Sequence, residues 1–462
     1  MSSTEIPSQP STIVTGGGRR WIYPTEILGR WQRWRNASSL LLLVVLYATP
    51  WLKIGGEPFL KLSFLSSSFV MFGSHILIYE FYHFAFLALL LVVTLFLASA
   101  LYGRIWCGYA CPQTVFIEQI LGRIDRLFEG PASTRLANHG RPMTWQRWLR
   151  RIGKQATYVL VAASFSFTLV AIFTGPEFIL AGESKSALGA VALLTLIAWF
   201  DAAYWREQFC HIVCPYARFQ GVMQDQATRT IGYDQARGEP RGRAKQSSGD
   251  CIDCGLCVRV CPSGIDIRQG ATQLECVACA RCVDACDGVM ENLGRDPGLI
   301  RYDAVAVFEE VSSPAQSLSK PKILRPRVIL YAAAWLVIFT VGLVEFIRRA
   351  PFHVNMIPVP GSKPWFAAGD RIQNILTLKV GNQSAGSMSF KIALTPTAEE
   401  QGLRIESPRT LGPLKPGQEM SIPLLISAGQ GFMQGSDVGL IVLTEDSNYQ
   451  LQLTKKWVGP SN

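Results

Sequence analysis

Eight of the chain's twelve cysteines lie between Cys251 and Cys286, in two runs of one spacing. The first run, CIDCGLCVRVCP, is C-x2-C-x2-C-x3-C-P and contains Cys251, Cys254, Cys257, Cys261 and Pro262. The second, CVACARCVDAC, repeats it with Cys276, Cys279, Cys282 and Cys286. This is the bacterial ferredoxin spacing, and two runs predict two [4Fe–4S] clusters. Iron bound to sulfide takes soft thiolate ligands. Three close-set cysteines wrap one cluster, and the fourth of each run reaches across to the other. Cys251, Cys254, Cys257 and Cys286 are therefore expected on one cluster, and Cys276, Cys279, Cys282 and Cys261 on the second. Zinc prefers two cysteine pairs set farther apart, which this spacing does not offer. Gly255, Ala278 and Ala280 are small enough to let backbone amides approach the sulfurs. Asp287 stands where the second run would usually carry proline, which predicts a looser turn there.

The other four cysteines form two C-x3-C-P motifs. One is Cys107, Cys111 and Pro112 in RIWCGYACPQT; the other is Cys210, Cys214 and Pro215 in REQFCHIVCPYARFQ. Each follows an apolar segment, a short basic turn and an aromatic residue, so they form an internal repeat. Side chains at i and i+4 share a face of a helix. Two such faces would gather four thiols at a membrane edge. Thiolates suit Cu(I) and also a further cluster, and a redox-active dithiol is the third chemistry open to them. Small buried cysteines at helix ends are the plainer alternative. His83 and Asp201 are ionisable groups in or near apolar segments, close enough to the ends to reach water.

These motifs need elements to position them. At 462 residues the chain exceeds one domain, and 49% hydrophobic against 17% charged residues points to a membrane protein. Five apolar segments are expected to span: about 37–52, 81–103, 154–177, 187–205 and 328–344. The net charge of +10 gathers at the ends of these segments, which excludes nucleic acid as its explanation. Loop 104–155 holds nine Lys or Arg against three acids, and loop 206–327 is also basic. The N-terminus and both basic loops are thus expected in the cytoplasm, with residues beyond 350 outside. No cysteine follows Cys286, which fits a reducing compartment for all twelve.

The expected organisation is a multidomain membrane protein. Residues 1–35 form a cytoplasmic arm, its first 18 residues a disordered tail. Residues 36–206 hold four transmembrane helices with C-x3-C-P motifs, in an α-helical bundle. Residues 207–326 carry a linker (231–250), the inserted dicluster ferredoxin domain and a second linker (310–326). Residues 327–350 are the fifth helix. Residues 351–462 read as an all-β sandwich, from alternating segments such as NILTLKVGN, SMSFKIALTP, EMSIPLLIS, VGLIVLTED and YQLQLTKKW.

The REQFCHIVCPYARFQ stretch, GEPRG, CIDCGLCVRVCPSGIDIRQG and LECVACARCVDACD together resemble the FixG/Rdx/CcoG family of cytochrome c oxidase accessory proteins. The resemblance covers most of the chain. It implies an immunoglobulin-like fold for the C-terminal domain and a location in the bacterial inner membrane. It also implies a cupric reductase supplying Cu(I) for a cbb(3)-type oxidase, with Cys107, Cys111, Cys210 and Cys214 as catalytic and copper-binding residues. The implied partners are the bilayer, copper, a cytoplasmic electron donor, and oxidase-assembly or copper-delivery proteins. Two other functions fit the residues. One is a quinol-linked membrane ferredoxin feeding a periplasmic reductase, although such proteins usually lack the fifth helix and the β domain. The other is a redox-sensing assembly scaffold.

Overall fold

A computed structural model of the chain describes residues 21–54, 57–63, 68–71, 74–77, 82–242, 249–309, 323–359, 365–384, 386–429, 432, 435–445 and 449–458. The expected tail 1–18 and most of the second linker lie outside these residues. The chain divides into two compact units. The first comprises 1–48, 86–170 and 179–340; the second comprises 49–85, 171–178 and 341–462.

The first unit is built on helices α1 (Arg30–Ala48), α2 (Tyr82–Tyr102), α3 (Trp145–Thr174), α4 (Lys185–Phe200), α5 (Pro215–Met223), α6 (Arg281–Asn292) and α7 (Pro326–Ile347), some of which run on into the second. Among the described residues, four helices are long and apolar enough to cross a membrane: α2, α3, α4 with its extension to Trp205, and α7. No more than 33% of any of their apolar windows is buried, whereas core helices of a soluble protein would be covered. The expectation of five such helices is corrected to four. The helix over the first segment begins at Arg30 and carries Arg30, Arg33 and Arg35 in its first two turns. Its apolar part, 37–48, measures about 18 Å at 1.5 Å per residue, short of a bilayer's roughly 30 Å core.

The ferredoxin insert is closed by a strand pair. β1 (Arg229–Tyr233) runs antiparallel to β2 (Ile300–Ala304), with Ile231 opposite Tyr302. Residues 231–233 are thus part of a sheet and not of the expected linker. The pair brings the two ends of the insert together over a core of Ile231, Tyr233, Ile267, Val283, Met290, Leu299 and Ile300. Cysteine side chains from both runs pack into this core.

The second unit contains the C-terminal β region. β3 (Phe352–Pro358), β4 (Trp365–Ala368), β5 (Arg371–Asn382), β7 (Arg404–Ile405) and β9 (Glu419–Gly429) form one antiparallel sheet, in the order β7-β9-β5-β3 with β4 also on β5. β6 (Met388–Leu394), β8 (Thr410–Leu414), β10 (Asp437–Thr444) and β11 (Gln450–Lys456) form the other, in the order β8-β6-β10-β11. Alternate residues point inward, as the two-residue period of a strand requires. Leu378, Val380, Phe390, Ile392, Leu424, Ile426, Leu440 and Val442 thus share one core with Phe352 and Trp457. All five strands expected from alternation are present. A three-stranded antiparallel meander within 60–77 belongs to the same unit.

Candidate metal centres

The two ferredoxin runs fold alike. The residues flanking the second cysteine of each run hold positive φ: Asp253 (51°) and Gly255 (64°) around Cys254, Ala278 (52°) and Ala280 (58°) around Cys279. Left-handed backbone on both sides of one cysteine makes a tight loop, and small or short polar residues tolerate it best. The loops leave two cavities. One is lined by Cys251, Cys254, Cys257 and Cys286. The other is lined by Cys261, Cys276, Cys279 and Cys282, with Cys257 at its wall. Each cavity therefore takes three thiols from one run and the fourth from the other. Ile231, Ile265 and Ile267 close the second cavity, and Leu299 and Ile300 close the first.

Both donor sets fit a [4Fe–4S] cluster. Thiolates around one tetrahedral ion stand about 3.8 Å apart, given metal–sulfur bonds near 2.3 Å. Among the described residues no three His, Cys, Asp or Glu side chains converge to hold a single ion. Four thiols ringing one cavity, three from one run and the fourth from the other, suit a cluster. Burial pushes the Cys276 thiol up to about 11, and those of Cys257 and Cys286 to about 12. A soft metal is needed to displace such protons. Asp287, in the position expected to loosen the second run, accepts the Gly298 amide at 2.8 Å and ties α6 to the approach of β2.

The C-x3-C-P motifs show the same repeat in their backbones. Cys111 and Cys214 are each the cap residue before a helix whose first position is proline, with φ/ψ of −63°/124° and −67°/112°. Proline suits that position because its missing N–H has no helical partner there. The Cys111 amide bonds the Trp106 carbonyl at 2.8 Å, and the Cys214 amide bonds the Phe209 carbonyl at 2.9 Å. The aromatic before each pair thus closes an i to i−5 turn. π-helical segments surround the motifs at Val115–Leu121, Asp201–Trp205 and Phe209–Val213. Such widened turns gather at functional sites.

Contacts between the repeats bring the four thiols together. The Cys107 Sγ approaches Gln220 Oε1 at 3.7 Å, and Gln220 follows the second motif. Gln113, just after the first motif, donates to Asp201 Oδ2 at 2.7 Å and to the Arg206 carbonyl at 3.2 Å, both just before the second. Asp201 is therefore a tie between the repeats. His83 is buried and stacks on Tyr82. Burial pushes the Cys107 thiol up to about 12, helped by Cys111 and Cys214 and opposed by Arg104. The Cys210 thiol is also raised, by burial first and then by Cys111, Cys107 and Cys214. All twelve cysteines are unpaired.

A buried ionic hub anchors the second motif. Asp125, 1% exposed, pairs with Arg206 at 2.9 Å, Arg135 at 3.2 Å and Lys154 at 3.6 Å, and accepts the Tyr158 hydroxyl at 2.5 Å. Arg206 itself holds φ 47°, a strained value for a residue with a side chain. Sequence reasoning missed this hub, because an Asp and an Arg 81 positions apart give no local signal.

The N-terminal arm is likewise more than an interfacial segment. Asp284, between Cys282 and Cys286, accepts the amides of Trp31 (3.1 Å) and Gln32 (2.8 Å) and so caps α1. Trp31 packs on Tyr302 with ring centroids 5.0 Å apart. Thr25 bonds the Arg259 carbonyl at 2.8 Å. Arg35, 2% exposed, pairs with Glu118 at 2.8 Å and donates through Nε to the Gly108 carbonyl at 2.9 Å.

Two clustered sets of thiols beside apolar spanning helices define an iron–sulfur electron-transfer protein of the membrane. The comparisons with known proteins agree. The sequence matches the 4Fe-4S dicluster domain family over residues 205–305 and the 4Fe-4S binding domain family over residues 84–130. It is 33% identical to Protein RdxA of Cereibacter sphaeroides over 83% of each chain. It is 32% identical to the nitrogen fixation protein FixG of Rhizobium meliloti, over 73% of this chain and 72% of that one. It is 30% identical to Protein RdxB of Cereibacter sphaeroides, over 89% and 90%. The chain belongs to the FixG/Rdx family. A crystal structure of a FixG-related protein from Vibrio parahaemolyticus aligns with 24% of this chain and 97% of its own, at 13% identity and a TM-score of 0.21.

Proposed function

We propose that this protein takes single electrons from a cytoplasmic donor and delivers them to Cu(II) at Cys107, Cys111, Cys210 and Cys214. The Cu(I) formed would serve assembly of a cbb(3)-type cytochrome c oxidase in the bacterial inner membrane. The supporting observation is that one compact unit holds both cluster-sized thiol cavities and the thiol quartet. Cys251, Cys254, Cys257 and Cys286 would hold one cluster and Cys261, Cys276, Cys279 and Cys282 the other, and such clusters would supply one-electron carriers. The quartet's part is to bind the substrate copper through soft sulfur, which favours the reduced ion. Gln220 and Gln113 hold the two halves of the quartet in place. The test is anaerobic cupric reduction by purified protein with a low-potential donor. Serine at all four quartet positions should abolish turnover while the iron content stays at about eight atoms per chain.

A second reading has a specific observation behind it: the quartet holds a further [4Fe–4S] cluster. The 4Fe-4S binding domain match over 84–130 contains only Cys107 and Cys111 of the cysteines. About twelve iron atoms per chain, falling to about eight in the serine variant, would select this reading.

The topology is also a proposal. Four spanning helices put residues 60, 180 and 400 on one side and 130 and 290 on the other, and the basic loops 104–155 and 206–327 support the cytoplasm for the latter. Reporter fusions after residues 130 and 290 should read cytoplasmic, and those after 60, 180 and 400 periplasmic. A cytoplasmic reading at 400 would overturn it. The strand orders β7-β9-β5-β3 and β8-β6-β10-β11 support an immunoglobulin-like sandwich for the C-terminal domain.

A further inference from the structure

The first C-x3-C-P motif and the second ferredoxin run touch through backbone. Gly108 lies between Cys107 and Cys111, and Val277 and Ala278 lie between Cys276 and Cys279. A Cβ placed on Gly108 would stand 2.8 Å from the carbonyl oxygens of both Val277 and Ala278. Real side chains do not approach backbone oxygen so closely, so only glycine permits this contact. The opposing loop has little room to yield. Ala278 is 2% exposed, is held at positive φ, and its carbonyl accepts the Tyr302 hydroxyl.

The contact is clamped from the side. Arg35 donates to the Gly108 carbonyl, on the same peptide that faces the loop. Glu118 pairs with Arg35 at 2.8 Å and with Arg281 at 3.4 Å, and Arg281 immediately precedes Cys282. One buried carboxylate thus joins an arginine that grips the first motif to an arginine of the second run. Burying two guanidinium groups is costly unless they are paired. A glycine that fits backbone to backbone, with an ionic clamp around it, specifies a distance.

We propose that Gly108 is a positioning residue that sets the closest approach between the thiol quartet and the second-run cluster site, and that electrons cross at this contact. This rests on the reading that the quartet passes electrons to copper. In each crossing the second-run site loses one electron and one Cu(II) becomes Cu(I). Dithionite supplies that electron beforehand in the experiment below, so each site crosses once.

The test uses the full-length protein with Gly108→Ala, Gly108→Val and Arg35→Gln. Gly288→Ala is the control, since a Cβ at Gly288 meets nothing within 4 Å. Protein reduced with dithionite is freed of excess reductant and mixed anaerobically with Cu(II), and the return of cluster absorbance is timed. The expected slowing is a few-fold for alanine and roughly tenfold for valine, since displacements of an ångström cost up to about a hundredfold where geometry governs rate. Iron content and the spin-resonance spectrum of the reduced protein should match the parent. Amide hydrogen exchange in 107–111 and 276–279 should quicken in the valine and Arg35→Gln variants and stay unchanged in the control. A valine variant with full iron and faster exchange but parental re-oxidation would overturn the proposal. Loss of iron from all three variants would assign these residues to folding and also overturn it. Parental re-oxidation in the protein with serine at all four quartet positions would instead refute the quartet as the route to copper.

Discussion

The dicluster insert and the C-x3-C-P quartet use the same side chain in opposite ways. In the insert, eight thiols come from one short stretch, and local turns with left-handed residues at 253, 255, 278 and 280 shape the cavities. In the quartet, the two pairs are 103 positions apart, counted from Cys107 to Cys210 (210 − 107). Their approach depends on Gln113, Gln220 and the Asp125–Arg206 pair. A locally built site should tolerate distant substitutions that a site assembled by tertiary contacts does not. The strongest test of that difference is chemical. Serine at Cys107, Cys111, Cys210 and Cys214 should remove cupric reduction entirely and leave both dicluster sites filled. Cys254→Ser should do the reverse, lowering iron content while the quartet still binds copper. Iron analysis and copper titration of the two proteins check this, and parallel losses in both would erase the distinction.

Next in size is an effect on the quartet from outside it. Asp125→Asn leaves Arg206, Arg135 and Lys154 without their shared buried carboxylate. Breaking a buried pair from one side costs about 3–5 kcal/mol. Thermal unfolding in detergent should show that loss. Copper binding should weaken with it, because Arg206 immediately precedes the second motif's turn. Iron in the insert should remain, since none of its ligands depends on this hub. An Asp125→Asn protein with parental unfolding temperature and parental copper binding would remove the hub from the account.

The same contrast explains what the sequence made legible. Ligand spacing within CIDCGLCVRVCP and CVACARCVDAC encodes the cavities, because each loop closes on itself and only the fourth cysteine must travel. The β strands with clean alternation were legible for a similar local reason. β3 and the short strands β4, β7 and β8 were not, because FHVNMIP alternates weakly and the others are fixed by their neighbours' edges. Residues 231–233 read as linker because the five residues of β1 become a strand only when β2, some seventy positions later, pairs with them. The apolar segment 37–52 reads as a span, whereas its helix begins at Arg30 and Arg35 turns inward to Glu118 and Gly108. Its buried side chain, and the cap that Asp284 supplies, connect segments that no local pattern joins.

A smaller effect should come from that cap. Asp284→Ala removes the acceptor for the Trp31 and Gln32 amides at the start of α1. Loss of a cap costs about 0.5–2 kcal/mol, and the carboxylate also sits favourably at the positive end of the helix. The unfolding temperature should fall by less than in Asp125→Asn. Asp284→Asn should recover most of the difference, since an amide oxygen still caps. Equal losses in the alanine and asparagine variants would show that charge, not hydrogen bonding, holds the arm to the insert.

The smallest expected effect is a pH dependence confined to the insert. Asp266 accepts the Arg268 amide at 3.0 Å, and its two oxygens meet Arg268 Nε at 2.8 Å and Nη2 at 2.7 Å. Burial opposes its ionisation, yet these bonds from Arg268 hold the carboxyl below the usual range. A carboxyl with a depressed folded value stabilises above its unfolded value, near 3.9, and loses that contribution as pH falls through the folded value. Asp266→Asn has no such group to titrate. The parent should therefore be more stable than Asp266→Asn at neutral pH, and the gap should narrow only below about pH 4. Iron–sulfur sites suffer in acid for their own reasons, but that loss is common to both proteins and cancels in the difference. Cluster absorbance followed during unfolding at a series of pH values reads the gap directly. A gap that stays constant down through pH 3 would mean that Arg268 does not depress the Asp266 carboxyl, and that the loop beside Cys261 is held by packing of Ile265 and Ile267 alone.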